Sequence, residues 1–424
     1  MSAGPMNDSR TNDSRTLDVA TIRADFPILE REFNGRRLVY LDSAASSQKP
    51  RQVLEAMDRY YETTHANVHR GVYQIAADAT HQFEAGRAAL ARFIGASDPE
   101  EIVFTKNVTE AINLVAHSWG RTHLAEGDAV LLTEIEHHAN IVPWLQLQQE
   151  RGIELRYIPV DDDFELDLTD LDRLLDGVKL VGITAMSNVL GTIPPLRRII
   201  DAAHAAGALV LVDGAQWVPH LPTDVAELDC DFFGFTGHKM LGPTGIGGLW
   251  ARREILESMP PFLGGGEMIR DVRLDGFTPN DVPWRFEAGT PPIAEVIGLH
   301  AAIDYLDALG MDAVRRHEVE LTTYAMEHLT GRFGDRITIH GPADPTTRGG
   351  VLSFAFGDLH PHDISQVLDQ EAVCVRAGHH CAKPLMRRMG VGATARASLY
   401  LYNDESDVDA LGEALASASD FFAF

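Results

Sequence analysis

The sequence predicts an α/β fold: a layered domain of alternating strands and helices, followed by a smaller α+β domain. Three observations predict it. Apolar strand-like runs alternate with helical patterns over about 200 residues, the pattern that lays helices on both faces of a sheet. One run, "ALVLVDGAQ" (208–216), begins as unbroken apolar sequence, as a strand covered on both faces of a parallel sheet does. After "EAGTPPIAEVIGLHAAIDYLDALG" (287–310) the texture changes to strand, strand, helix, strand and a closing helix.

Taken in order, residues 1–16 repeat NDSRT and lack an apolar period, so a disordered tail is expected. Residues 17–35 predict a short helix and an extended piece packing with the small domain. "RLVYLDSAASSQKP" (37–50) predicts a strand ending in small residues, with Pro50 opening a helix. "EIVFT" (101–105) is a strand and "NVTEAINLVAHSW" (107–119) a helix. Residues 129–152 give strand, loop and helix, and 153–160 another strand. Residues 178–207 repeat the scheme, with Pro194 and Pro195 before the helix and Gly207 after it. The large domain is expected over 36–300 and the small one over 301–424, with the boundary inside a long connecting helix.

A chain of 424 residues suits about two or three domain-sized units. Hydrophobic content of 45% and charged content of 23% are ordinary for a globular protein. No apolar run reaches the length of a membrane span, and the start lacks a basic-then-apolar signal pattern. A formal net charge of −26 argues against nucleic acid or an anionic membrane as partner. Three cysteines, Cys230, Cys374 and Cys381, are too few and too irregular for a disulfide framework or a zinc site, which suggests a reducing cytoplasm.

The stretch "FFGFTGHKMLGPTGIGGLW" (232–250) sets Lys239 where a strand gives way to a glycine-rich turn. A desolvated lysine loses its proton more easily, and its neutral amine bonds carbonyls. A surface lysine in a loop fits this window equally well, although only five lysines compete for the role. Parallel sheets deliver functional residues at their carboxyl edge. Asp213 falls at such an edge, and a buried acid there needs a cationic or hydrogen-bonding partner such as a protonated pyridine nitrogen; a helix-capping role also fits. Thr109 starts a helix, where amides and a hydroxyl can cradle phosphate or simply cap it. His137 and His138 follow a strand end, where an imidazole can stack on a flat ring or face solvent. His238 and Thr236 flank the lysine as further phosphate contacts. "CVRAGHHCAKP" (374–384) gathers Arg376, His379, His380 and Cys381, with Ala377 and Gly378 allowing a flexible loop; cationic neighbours favour the reactive thiolate. Cys374 suits a core strand. Arg396, within a strand, fits either a bidentate clamp on a carboxylate or a structural ion pair.

Together these segments resemble the group II cysteine desulfurase family of fold-type I pyridoxal phosphate (PLP) enzymes, the branch serving SUF-type iron–sulfur assembly. The resemblance runs from about Leu17 onward, through "YLDSAASSQKP", "NVHRGVY", "EHHANIVPW", "SNVLGT", "VDGAQ", "GHKMLGPTGIGGLW", "FEAGTPP", "RAGHHCAKP" and "RASLYLYN". It implies a class V aminotransferase-like fold with a mainly parallel seven-stranded sheet. It makes Lys239 the Schiff-base lysine, Asp213 the pyridinium partner, Gln216 the contact to the ring hydroxyl and His137 the stacked imidazole. Thr109, Thr236 and His238 become phosphate ligands. Asn188, Arg376, Arg396 and Ala44 lie near the substrate, and Cys381 forms the persulfide. Gly289, Thr290, His69 and Arg70 approach the active site of the other subunit, which implies a homodimer. In this light the glycines after Lys239 read as the hinge of a cofactor loop. Asn107 and Val108 depart from the smaller or hydroxylated residues usual before the threonine.

The implied reaction converts L-cysteine to L-alanine and passes sulfur from Cys381 to a SufU- or SufE-like acceptor protein. L-Selenocysteine is the alternative substrate, and a catalytically silent assembly scaffold is the alternative from another class.

Overall fold

The structure, a computed structural model, describes residues 16–422. The repeated NDSRT segment lies outside the described residues except for Thr16. Seven strands form the central sheet: β1 (Ile102–Thr105), β2 (Ala129–Thr133), β3 (Glu154–Ile158), β4 (Val178–Thr184), β5 (Leu209–Asp213), β6 (Phe232–Thr236) and β7 (Gly247–Ala251). Their spatial order is β1-β7-β6-β5-β4-β2-β3. Strand β7 pairs antiparallel with both β6 and β1, while the pairs from β6 through β3 are parallel.

The apolar runs form central strands because both sheet faces are covered. In β5, Val210 and Val212 join one buried cluster and Leu211 the other. In β2, Leu131 faces the first cluster, whereas Val130 and Leu132 face the second. Period-two alternation thus feeds two cores, and each fully buried Leu or Val contributes about 1.5–3 kcal/mol.

The sequence suggests one helix over 107–119. The structure gives an α-helix at Val108–Leu114 that widens into a π-helical stretch at Val115–Gly120. That stretch buries Val115, Ala116, Ser118, Trp119 and Gly120. Val115, Ala116 and Trp119 of this wide turn belong to the second core, a requirement that local propensity does not encode.

Helix Ile293–Leu309 packs on helices Arg51–Thr63 and Gln74–Phe93. It breaks at Gly310, where φ is +83°, and the chain continues as helix Met311–Phe333. Beyond it lies an antiparallel sheet of β8 (Ile337–His340), β9 (Val351–Phe356), β10 (Arg376–Gly378) and β11 (Thr394–Ser398), in the order β8-β9-β11-β10. Closing helix Glu405–Phe421 covers it, started by a capping box in which Asp404 and Asp407 satisfy each other's backbone N–H.

The strand expected over 37–50 shrinks to Val39–Tyr40, which pairs in parallel with Val373–Cys374. Arg23 donates to the carbonyls of Leu38 and Tyr402, and Asn34 donates to that of Gln370. The N-terminal residues are therefore tied to the C-terminal region, while Asp25 also accepts from Tyr305 and Gln52.

Candidate active site

Five parallel strands end at one edge, and each delivers chemistry there. The chain after β1 brings Asn107, Val108 and Thr109; that after β2 brings His137; β4 leads to Asn188; β5 ends on Asp213 before Gln216; and β6 leads through Thr236 to His238 and Lys239. All line one cavity of about 950 Å³, which the C-terminal region closes with Arg376, His379, Cys381 and Arg396. Ala44 lines it too. His69, Arg70, Gly289 and Thr290 are not among its lining residues.

Lys239 ends a 3-10 turn directly after β6. Burial lowers its ammonium to about 8, against the opposing pull of the Asp213 carboxylate. Asp213 is buried and pushed upward by desolvation, while the Ala215 N–H and Lys239 favour its charged form. His137 Nδ1 accepts from the Ala139 N–H at 3.0 Å, so the neutral ring carries its proton on Nε2. Burial and Lys239 hold that imidazole down at about 3. His238 lies at about 4 by burial and the nearby Lys239 and Lys49 charges.

Four side-chain atoms of cavity-lining residues are buried without partners: Thr236 Oγ1, Gln216 Oε1, His380 Nδ1 and Arg396 Nε. Gln216 spends its amide donor on the Ala44 carbonyl at 2.7 Å, leaving the oxygen unmatched. Buried polar atoms are rarely orphaned unless a ligand satisfies them. Unmatched hydroxyl and amide groups beside an amine-bearing lysine and a buried acid fit a flat, phosphate-bearing pyridine aldehyde. PLP fits the residues present.

Arg376 and Arg396 converge on one carboxylate, that of Asp42. Arg376 grips Asp42 through Nε and Nη2, at 2.8–3.2 Å. Arg396 donates to the Asn188 carbonyl at 2.9 Å and to Asp42 at 3.2 Å, and its buried Nε has no partner. Arg396 is thus partly committed to a structural ion pair, with one donor free. Asn188 donates its side-chain amide to the His380 carbonyl at 2.7 Å, holding the cysteine loop. Asp42 went unnoticed in the sequence although an acid after an apolar run, the pattern that marked Asp213, was its signal. His360 and His362 of "HPH" also line the cavity and carried no such signal.

Two expectations are corrected. The 374–384 segment is not a free loop: Ala377 and Gly378 sit in β10, paired with β11, and the turn beyond is pinned by hydrogen bonds. The glycines after Lys239 are mostly close-packing positions rather than a hinge. A Cβ on Gly248 would lie 2.2 Å from the Phe235 ring, and one on Gly247 2.8 Å from Asn107 Cα. Gly245 alone among them has a left-handed φ, +83°.

The aminotransferase class-V family description matches residues 39–411. The chain belongs to that family. A probable cysteine desulfurase of Streptomyces coelicolor is 49% identical over 412 residues, covering 96% of this chain and 98% of the relative. A cysteine desulfurase of Haloferax volcanii is 48% identical, covering 98% and 100%. Among solved structures, the cysteine desulfurase CsdA of Escherichia coli superposes with a TM-score of 0.89 at 39% identity, covering 96% of this chain and all of that one. The C-DES mutant with glycine covalently linked to its PLP cofactor matches at a TM-score of 0.79 and 25% identity, covering 94% and 99%. These solved relatives thus share the fold of this chain over nearly its whole length.

Proposed function

We propose that the chain is a PLP-dependent cysteine desulfurase that takes sulfur from L-cysteine onto Cys381 and releases L-alanine. One observation carries this reading: Cys381 lines the same cavity as Lys239 and Asp213. The family membership and the names of the relatives support it.

Lys239 is the residue to bond the cofactor, Asp213 to keep the pyridine nitrogen protonated, and His137 to lie against the ring. Gln216 meets the ring hydroxyl, and Thr109, Thr236 and His238 hold the phosphate. When bound, PLP supplies an electron sink that stabilises negative charge at the substrate α-carbon. The free Nε of Arg396, with Arg376, Asn188 and Ala44 nearby, binds and orients the cysteine carboxylate. Lys239, with its lowered ammonium value, takes the α-proton. The Cys381 thiolate then attacks the substrate sulfur: an S–S bond forms on Cys381, the substrate C–S bond breaks, and protonation at carbon gives alanine. Cysteine plus thiol becomes alanine plus persulfide, with no external oxidant.

The persulfide passes to a SufU- or SufE-like acceptor for iron–sulfur assembly, in a homodimer placed in the cytoplasm. Three free cysteines support a reducing compartment. Partner-subunit roles for His69, Arg70, Gly289 and Thr290 are supported by their position outside the single-chain cavity. The large and small domains divide near residue 300, close to the helix break at Gly310.

The test is alanine and sulfide release from cysteine, with and without reductant, beside the visible spectrum. Cys381→Ala keeps the absorption band and stops persulfide formation; retained turnover would reject Cys381 as the sulfur acceptor. If Cys381→Ala still turned over selenocysteine, the selenocysteine lyase reading would take precedence.

A further inference from the structure

Cys381 stands in an unusual backbone state. It is exposed, and both it (φ +55°) and His380 (φ +49°) are in the left-handed region, which non-glycine residues avoid. Two such residues in succession persist only where surrounding contacts impose them. Asn188 and Thr394 hold His380. Around Cys381 itself, two bonds converge on one residue that the reaction does not use, His138. The His138 N–H donates to the Cys381 carbonyl at 2.8 Å. The Lys383 N–H donates to His138 Nε2 at 2.9 Å. Lys383 opens helix Lys383–Arg388, so that N–H has no helical acceptor of its own, and the imidazole supplies one.

We propose that His138 is a positioning residue that holds Cys381 for sulfur transfer by clasping the two peptides that follow it, and that protonating its imidazole opens the clasp. The inference rests on Cys381 being the sulfur acceptor.

The chemistry of the clasp fixes its sign. Nε2 accepts a hydrogen bond, so the ring must be unprotonated there; an imidazolium would set a donor against the Lys383 N–H. The groups facing the ring are His137 on its own turn, at 6.3 Å between centroids, His379 across the cleft at 5.8 Å, and Lys383. Burial, then His379 and Lys383, lower the imidazole from its usual 6.5. A group with a depressed folded value stays neutral through neutral pH. The clasp therefore stays shut at neutral pH and opens as pH falls below 6.5 through the lowered value.

The holoenzyme provides the test, through peptide-resolved hydrogen exchange over 379–388 corrected for intrinsic rates, persulfide formation on Cys381, and cofactor absorbance. In His138→Ala, the Lys383 amide exchanges about tenfold faster, the factor for losing one net hydrogen bond. Persulfide formation slows while the visible band persists. In His138→Gln, whose side-chain oxygen accepts without titrating, protection and transfer are retained and the acid loss seen in the wild type disappears. Wild-type exchange in His138→Ala would overturn the clasp, as would loss of the cofactor band in parallel with transfer, which would mark a merely structural role. An unchanged acid loss in His138→Gln would overturn the titration. Should the wild type form no persulfide while exchange responds as described, the clasp stands and the desulfurase reading falls.

Discussion

At Lys239, burial and the Asp213 carboxylate pull in opposite directions, and burial wins, since the ammonium is lowered to about 8. Lys239→Ala is expected to purify without the visible band; an unchanged spectrum would remove the lysine from the reading. His137 and His238 are both depressed, to about 3 and about 4, so their neutral forms are the ones the fold favours. Because these values lie below the ordinary 6.5, the stability linked to them is present above pH 6.5 and is lost as pH falls toward 4. For the cofactor-free protein, denaturant midpoints should drop over that window, and the double variant His137→Gln/His238→Gln should drop less steeply. Equal slopes would contradict the assignment. Little of this was legible in sequence: a histidine after a strand reads the same whether buried or exposed.

Among the elements, Arg87 shows what residue-by-residue reading overlooks. It lies mid-helix in Gln74–Phe93 yet is fully buried, donating to Glu287 at 2.7 and 2.8 Å, to Glu84 at 3.0 Å and to the Ile102 carbonyl at 2.8 Å. Its guanidinium also lies over the Phe104 ring at 4.5 Å. Glu287 in turn accepts from the Phe104 N–H, so one ion pair ties helix, β1 and the segment leading to Gly289. Removing one partner strands a buried charge, so Arg87→Met should cost about 3–5 kcal/mol by chemical denaturation. Arg87→Met/Glu287→Met should recover much of it, and full additivity would refute the coupling. At β6 and β7, Gly248→Val drives side-chain atoms into Phe235 and should cost about 1–3 kcal/mol. The strand periods and the proline and glycine boundaries of helix Leu196–Ala205 were legible because they are local, whereas the cap of Val108–Leu114 is Asn107 and not Thr109. The Arg87–Glu287 pair joins residues 200 apart in sequence, and no spacing rule announces it.

For the whole molecule, the described surface leaves Leu274 and Val72 as exposed as in an extended chain, at 111% and 102%, with Tyr73 and Phe277 also open. These residues are linked through Arg70, which pairs with Glu267 at 3.1 Å, and through the Gly289 N–H, which donates to the Gly266 carbonyl. Leu274 and Phe277 belong to the hairpin formed by Ile269–Arg273 and Gly276–Pro279. An apolar surface adjoining the segments proposed above to reach another subunit's site is what a second copy would cover. Leu274→Asp/Phe277→Asp is expected to sediment as a monomer and to retain PLP poorly. A dimer with intact cofactor retention would place the subunit contact elsewhere.

The alternation of strands and helices, and several reactive side chains at strand ends, were readable in the sequence because period and turn chemistry are properties of neighbouring residues. Lys239, Asp213 and Thr109 each follow a strand run, so their place at one sheet edge was readable before any contact was known. Which groups share a partner was set by packing between distant segments. Asp42, whose carboxylate unites Arg376 and Arg396, comes from the far end of the chain. His138 and Lys383, 245 residues apart, close around Cys381. Such pairings depend on burial and hydrogen-bond geometry that exist only after the N-terminal strand and the C-terminal sheet have been brought together.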